Sequence, residues 1–419
     1  MITGWVLVIL ASVPFDISAP FGFMPKLSLI DYEAAAALLA LIFHYRPHRL
    51  IRVVSTIMGR ASFLAWAIFL FYLTITAFIL KGSLKDVFRW GEFIFVYILA
   101  LLAVRENAPY LRKTAAALSV GLSACIALWG IKQFFASGHD YTQTFAMFKQ
   151  HNGFAAYLSL ALPAAWALAI SVATRVRKII AGMAALVITC AFLVAYSRGA
   201  WLGIAGALFF VSLLSLTRRR NDRRALIMSV LLFVASAAAP VLWVIHREHN
   251  GQTVLMAAIP LKTSIAQDST RLLNLSARTF YWKTAADIIR EKPWFGLGPG
   301  HYADQIRSFL KGYALTLFDK DLRYNGGVLF WQHLHNAYLQ FLVEYGWVGF
   351  ILWALAMSVM CRPLFVFPLK TSSTQLAFMV SGLAFLIHNN WDYLYVNSFD
   401  LVFAIWVALC AKEASSHAA

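Results

Sequence analysis

The sequence predicts an all-α polytopic membrane protein, with about 12 transmembrane helices and one large, partly helical loop between the ninth and the tenth. Three observations carry this. Of 419 residues, 61% are hydrophobic and only 13% are charged, where a soluble domain carries about 25% charged residues; the mean hydropathy is +0.68. The apolar residues come in runs long enough to cross a hydrocarbon core, which takes roughly 20 residues of helix. Backbone in lipid must bond to itself and the alternation of a membrane barrel is absent, so these runs are helices. Between two of them lies a polar, aromatic and histidine-bearing stretch from Arg247 to His335.

In chain order the runs centre near residues 2–14, 28–44, 62–80, 87–104, 115–136, 153–173, 179–196, 200–216, 225–246, 337–360, 375–391 and 397–411. No Lys or Arg precedes Lys26, so Thr3 to Val13 reads as a retained helix rather than a signal peptide. Basic residues follow every even-numbered run: Arg46, Arg49, Arg52 and Arg60; Arg105, Arg112 and Lys113; Arg175, Arg177 and Lys178; Arg218, Arg219, Arg220, Arg223 and Arg224; Arg362 and Lys370. The alternate short loops hold only Lys26, Lys81 with Lys85, Lys149, and Arg198. A basic excess marks the cytoplasmic side, so both termini are expected there and the large loop on the far side. The same rule accounts for much of the net charge of +17, and the arginine run at 218–224 reads as a topology signal rather than a nucleic-acid site. One integrated domain results, with helices one to nine in 1–246, the loop and its chemistry in 247–335, and helices ten to twelve in 336–419. Cys125, Cys190, Cys361 and Cys410 lie in or beside apolar runs and none lies in the loop. They are expected to be small buried hydrophobes, not a disulfide framework.

Charges inside spans are costly and usually functional. Asp31, Glu33, Arg89, Glu92, Lys132, Arg198 and Asp392 each fall toward the far end of their helix, with Glu344 a little deeper. No acidic ladder crosses the midplane, so a polar chamber roofed by the loop is expected instead of a through-pathway. Within the loop, Ser276 to Arg290 reads as a helix capped by Ser276 and stopped by Pro293, with Arg278 and Trp282 on one face. Gly296 to Gly300 reads as a tight turn; no strand precedes it, which argues against a phosphate loop. A second short helix is expected from His301 to Leu310. His333 and His335 are spaced as His-x-His, with His301 a candidate third member. Three readings stay open: metal ligands, an acid/base group near neutral pH, or bonding at the loop–helix junction. Arg198 sits on the basic-poor face, where topology does not explain it. It either presents a fork to phosphate or carboxylate or pairs with Glu33 or Asp392.

Four pieces, in order, resemble the O-antigen ligase/polymerase superfamily of bacterial inner-membrane proteins. They are Ser197-Arg198-Gly199-Ala200-Trp201; the Arg278…Trp282 helix; Pro293 to Gly300; and His335-Asn336-Ala337-Tyr338-Leu339, with Glu344 and Gly346 following. The Asn152 region matches a weaker feature. The resemblance is nearest to the O-antigen ligase. It implies a GT-C-like fold in the Gram-negative inner membrane, with the loop and active site periplasmic. It implies an enzyme of lipopolysaccharide biosynthesis that transfers polysaccharide from undecaprenyl pyrophosphate to a sugar hydroxyl of lipid A–core, inverting the anomeric centre, without cofactor or metal. The expected partners are the lipid-linked polysaccharide, lipid A–core and membrane lipid, with no nucleic acid. The family's two functional arginines match Arg198 and Arg278, for the pyrophosphate, and its histidine matches His335, as the base. Lys81, Arg89, Asn152, Trp282, His301 and Asn336 are candidate donor or acceptor contacts. A polymerase with the same donor is the alternative. Its arginine-x10-glycine spacing is missing from the large loop, where Ile289 stands eleven after Arg278 and His301 eleven after Arg290. A transporter of lipid-linked or anionic substrate and a non-catalytic scaffold are the rivals from other classes.

Overall fold

The computed structural model of the protein describes residues 1–15, 29–44, 47–141, 144–148, 150–218, 282, 284–309, 333–365, 372–395 and 398–411. Every regular element among them is helical. The N-terminal part holds α1 (Ile2–Ser12), α2 (Leu29–His44), α3 (Pro47–Met58), α4 (Arg60–Ile79), α5 (Leu84–Ala136), α6 (His151–Ser171), α7 (Arg175–Val194) and α8 (Arg198–Arg218). After a helical stretch at 284–291 come α9 (Tyr302–Phe309), α10 (Ala337–Phe365), α11 (Ser373–His388) and α12 (Phe399–Leu409). Among the described residues five helices, α4, α5, α6, α7 and α10, are long and apolar enough to cross a membrane, and α11, α12, α8 as far as Leu213 and the Ile2–Phe15 segment are shorter apolar helices.

That differs from the expected 12 spans for particular reasons. The ninth expected run, 225–246, lies outside the described residues. The fourth and fifth belong to one element, α5, broken at Asn107 (φ −161°, ψ 81°). Asn107 caps the second half, its side chain accepting from Tyr110 N–H at 3.1 Å, and Pro109 follows two residues later, in the first turn, where its missing N–H is tolerated. The chain turns back there: Ser83, ahead of α5, touches Pro299, Arg112 reaches the end of α12, and the segment after α5 returns to meet α6. The basic connection after the second run is not a loop but α3, which starts on Pro47, a favoured first helical residue. Val54 is buried and Arg52 exposed. An amphipathic helix of this kind escapes a search for uniformly apolar runs.

Lipid offers little drive for helices to associate beyond packing and internal hydrogen bonds, and the bundle is built accordingly. α6 packs on α7 and α11, α11 on α8, α12 on α5, and α10 on α4. At the centre, Trp90 meets Phe69 and Phe341 edge-on at 5.7 and 5.5 Å; pairs of this kind contribute about 0.5–1.5 kcal/mol beyond area burial. Trp90 donates to the Tyr345 hydroxyl (3.0 Å), Tyr72 to the Tyr345 carbonyl (2.6 Å), and Trp406 to the Leu160 carbonyl (3.1 Å). Cys361 and Cys410 are buried as expected, but Cys125 and Cys190 are exposed: they lie on outward helix faces, where an apolar side chain suits lipid as well as a core.

The two ends of the bundle differ. At one, Thr3 bonds Glu106, and buried Arg112 donates to the Leu409 and Ala411 carbonyls, both at 2.8 Å. A cation there offsets the negative end of α12. At the other end gather the segments around 81–83, 139–141, 150–152, 196–199, 293–301, 333–336 and 389–395, and there the site is found.

Candidate active site

His335 stands two residues ahead of α10 with φ 50°, a left-handed conformation uncommon outside glycine. Its neighbours enforce it. The Leu334 N–H donates to the Gln340 side chain at 3.0 Å, and the Leu334 carbonyl accepts from Trp282 Nε1 at 3.3 Å. On the other side, Ala337 N–H donates to the Asn389 and Asp392 carbonyls. Asn336 caps α10, accepting from Leu339 N–H at 3.0 Å, while its amide donates to the Asn390 carbonyl at 3.0 Å. The loop–helix junction is thereby fastened to the turn after α11.

That turn carries Asp392, whose Oδ1 lies 3.4 Å from His335 Nδ1. Burial pushes the Asp392 carboxyl up, but the bond from His335 and the charges of His335 and His388 outweigh it and hold the group well below the ordinary aspartate range. An ionised carboxylate only accepts, so His335 Nδ1 is the donor of this bond. At 3.4 Å the bond is long, as such bonds often are before substrate arrives.

Arg198 opens α8 with its side chain exposed, and it has no ion pair to another described residue, Glu33 and Asp392 included. Its placement follows from Gly199, where a Cβ would come within 2.7 Å of the His388 ring and 3.1 Å of Trp391. The Ser-Arg-Gly turn therefore lies against the segment that carries Asp392. Asn152 is half-buried in the first turn of α6. Its neighbour His151 meets Tyr141 edge-on at 5.4 Å, and Tyr141 contacts Tyr196 at 4.9 Å, which joins the start of α6 to the Arg198 turn. Arg278 lies outside the described residues.

The turn at 293–300 is stitched into a break in α10. Gly346 (φ 63°, ψ −176°) interrupts that helix and frees its backbone groups. The Val343 and Glu344 carbonyls accept from Leu297 and Gly298 at 2.9 Å, and the Trp347 and Val348 N–H groups donate to Pro293 and Trp294. Residues 284–291 and α9, as expected, are helical and close over a small core of Ala285, Ile288, Leu297, Tyr302, Ile306, Leu334 and Val343. Lys81 is exposed; its carbonyl accepts from His301 Nε2 at 2.9 Å, and Gln305 bonds His301 Nδ1 at 2.9 Å. Both His301 nitrogens are thus engaged away from His335, and the His333 ring lies on Tyr393 at 5.0 Å. Among the described residues no three His, Cys, Asp or Glu side chains are placed to hold a metal ion. Arg89 is paired with buried Asp400 at 3.6 Å and lies 5.9 Å from the Tyr393 ring centroid.

The structure thus joins Trp282 and Asn336 to the His335 junction, sets the Arg198 turn and the start of α6 that carries Asn152 on the same end, and places Lys81 and His301 at the docking point of the turn. Sequence reading marked Asp392 as a charge within a span and as a candidate partner for Arg198, not for His335, and passed over His151 and Gln340. No local spacing links Asp392 to His335, 57 residues away. No curated protein matches the chain. Residues 183–354, from α7 through Arg198 and His335 to beyond the Gly346 break, match the family model described as O-antigen ligase.

Proposed function

We propose that the protein is an O-antigen ligase of the Gram-negative inner membrane, working at the periplasmic end. It moves a finished polysaccharide from undecaprenyl pyrophosphate to a sugar hydroxyl of lipid A–core. The observation that carries the reading is the His335–Asp392 pair set beside the Arg198 turn at one end of the bundle. The donor has a good leaving group and the acceptor is a poor nucleophile, so the reaction asks for a base and for cations. The acceptor oxygen forms a bond to the anomeric carbon as the bond from that carbon to the pyrophosphate oxygen breaks. His335 Nε2 takes the hydroxyl proton, and Asp392 steadies the resulting imidazolium. Arg198, with Arg278, neutralises charge growing on the departing pyrophosphate. A single displacement of this kind inverts the anomeric centre. Trp294 and Phe295, 65% and 54% exposed, give the end a membrane-interface edge suited to a lipid-linked donor.

A polymerase would use the same groups on the same donor and differ in acceptor. The test is reconstitution of the purified protein with undecaprenyl-pyrophosphate-linked polysaccharide and lipid A–core, in detergent with EDTA, beside His335→Ala. A ladder on lipid A–core from wild type alone supports the ligase. Longer carrier-linked chains without that ladder favour the polymerase. Neither product, with or without EDTA, would sink glycan transfer and point to transport.

A further inference from the structure

Behind His335 a line of hydrogen bonds runs into the bundle. Gln340 Oε1 accepts the Leu334 N–H at 3.0 Å, and Gln340 Nε2 donates to Glu344 Oε1 at 2.9 Å. The same Glu344 oxygen accepts the N–H of Tyr302, the first residue of α9, at 3.4 Å. Gln340 and Glu344 are 3% and 4% exposed and stand one helical turn apart on one face of α10. Neither lies where a substrate could reach it.

We propose that Gln340 and Glu344 are positioning residues for the transfer reaction, holding the His333–Leu334 peptide, and through Leu334 the backbone of His335, in the conformation that aims the imidazole at Asp392, and doing so when the Gly298–Tyr302 segment is docked. The proposal rests on the reading of His335 as the base. A left-handed non-glycine residue persists only where its surroundings over-determine it. Here both backbone groups of Leu334 are spoken for, one by Gln340 and one by Trp282. The glutamine is itself fixed by Glu344, and Glu344 also holds Tyr302. One carboxyl oxygen therefore ties the docked turn to the backbone of the base. Withdrawing α9 removes one of its two donors and loosens the other, so the base is aimed only in the assembled site.

The test uses the full-length protein in the reconstituted transfer assay with lipid-linked polysaccharide. Gln340→Leu keeps the bulk and deletes both bonds; Glu344→Ala deletes the shared acceptor; Glu344→Gln keeps an acceptor oxygen. Gln340→Leu and Glu344→Ala should lower kcat about 10²-fold, the scale of a misplaced catalytic group, with the donor KM changed less than about threefold. Glu344→Gln should restore most of the rate. In a His335→Ala background, Gln340→Leu should add no further loss, because groups acting as one unit are non-additive. Wild-type kcat in Gln340→Leu and Glu344→Ala, beside an inactive His335→Ala, would overturn the positioning role and leave the base in place. An active His335→Ala would overturn both. A Gln340→Leu loss that adds in full to that of His335→Ala, or that matches the loss of folded protein, would reduce Gln340 to a structural residue and also defeat the proposal.

Discussion

Gly346 and Trp294 meet backbone to backbone: a Cβ on Gly346 would collide with the Trp294 carbonyl, and the glycine holds a conformation (φ 63°, ψ −176°) open in practice to glycine alone. Gly346→Ala should therefore cost about 1–3 kcal/mol from backbone strain, with the collision added, and it should unseat the 293–300 turn. A thermal melt in detergent and the transfer assay should both register it. Unchanged stability would mean that the stitch between turn and helix is not formed.

His335→Ala should reduce turnover by about 10²–10⁴-fold, the usual worth of a general base, with donor binding retained in a direct binding measurement. Equal losses in binding and turnover would instead make His335 a substrate ligand.

Asp392→Asn should lower the rate by up to about 10⁴-fold, because an amide can donate to Nδ1 and favour the tautomer whose Nε2 is already protonated. The acid limb of the pH–rate profile tests the same assignment. The wild-type Asp392 carboxyl sits below its ordinary range, so it stays ionised as acid is added and titrates only at still lower pH. A fall in rate at a pH above the ordinary aspartate range then belongs to a group other than Asp392, and it should persist in whatever activity Asp392→Asn retains. Disappearance of that limb in the variant would assign it to the carboxylate.

Arg198→Ala should weaken donor binding and turnover together, and Arg198→Lys should restore little, since an ammonium cannot replace a planar two-pronged donor to phosphate. Kinetics with varied lipid-linked donor decide this; full activity in the lysine variant would reduce the arginine to a point charge.

Gly199→Ala tests the placement of the arginine turn without touching a charge. The new methyl would press on the His388 ring at 2.7 Å and on Trp391 at 3.1 Å, displacing the segment that bears Asp392. Activity should fall more than thermal stability. Wild-type activity would mean that this contact does not set the site.

Much of this was legible in the sequence, and the illegible parts have physical reasons. Apolar runs reveal helices because lipid demands internally bonded backbone, so α4, α6, α7 and α10 fall close to their expected places. Alternating basic loops placed the polar segments on a common face, and 81–83, 196–199 and 389–395 do share one end. α3 went unseen because an amphipathic helix has no uniform apolar run. The Arg198 and His335 motifs stood out locally, but Asp392 acts from the turn after α11, and only packing reveals that. The break at Gly346 was part of a recognised motif, yet nothing in the residue order says that a distant turn would supply its missing bonds.

The stitched break also has a mechanical consequence. Four backbone bonds pass between the 293–298 stretch and the interrupted helix, so a force applied to the turn is transmitted directly into α10, and the two segments move as one lever rather than as a loop resting on a rod.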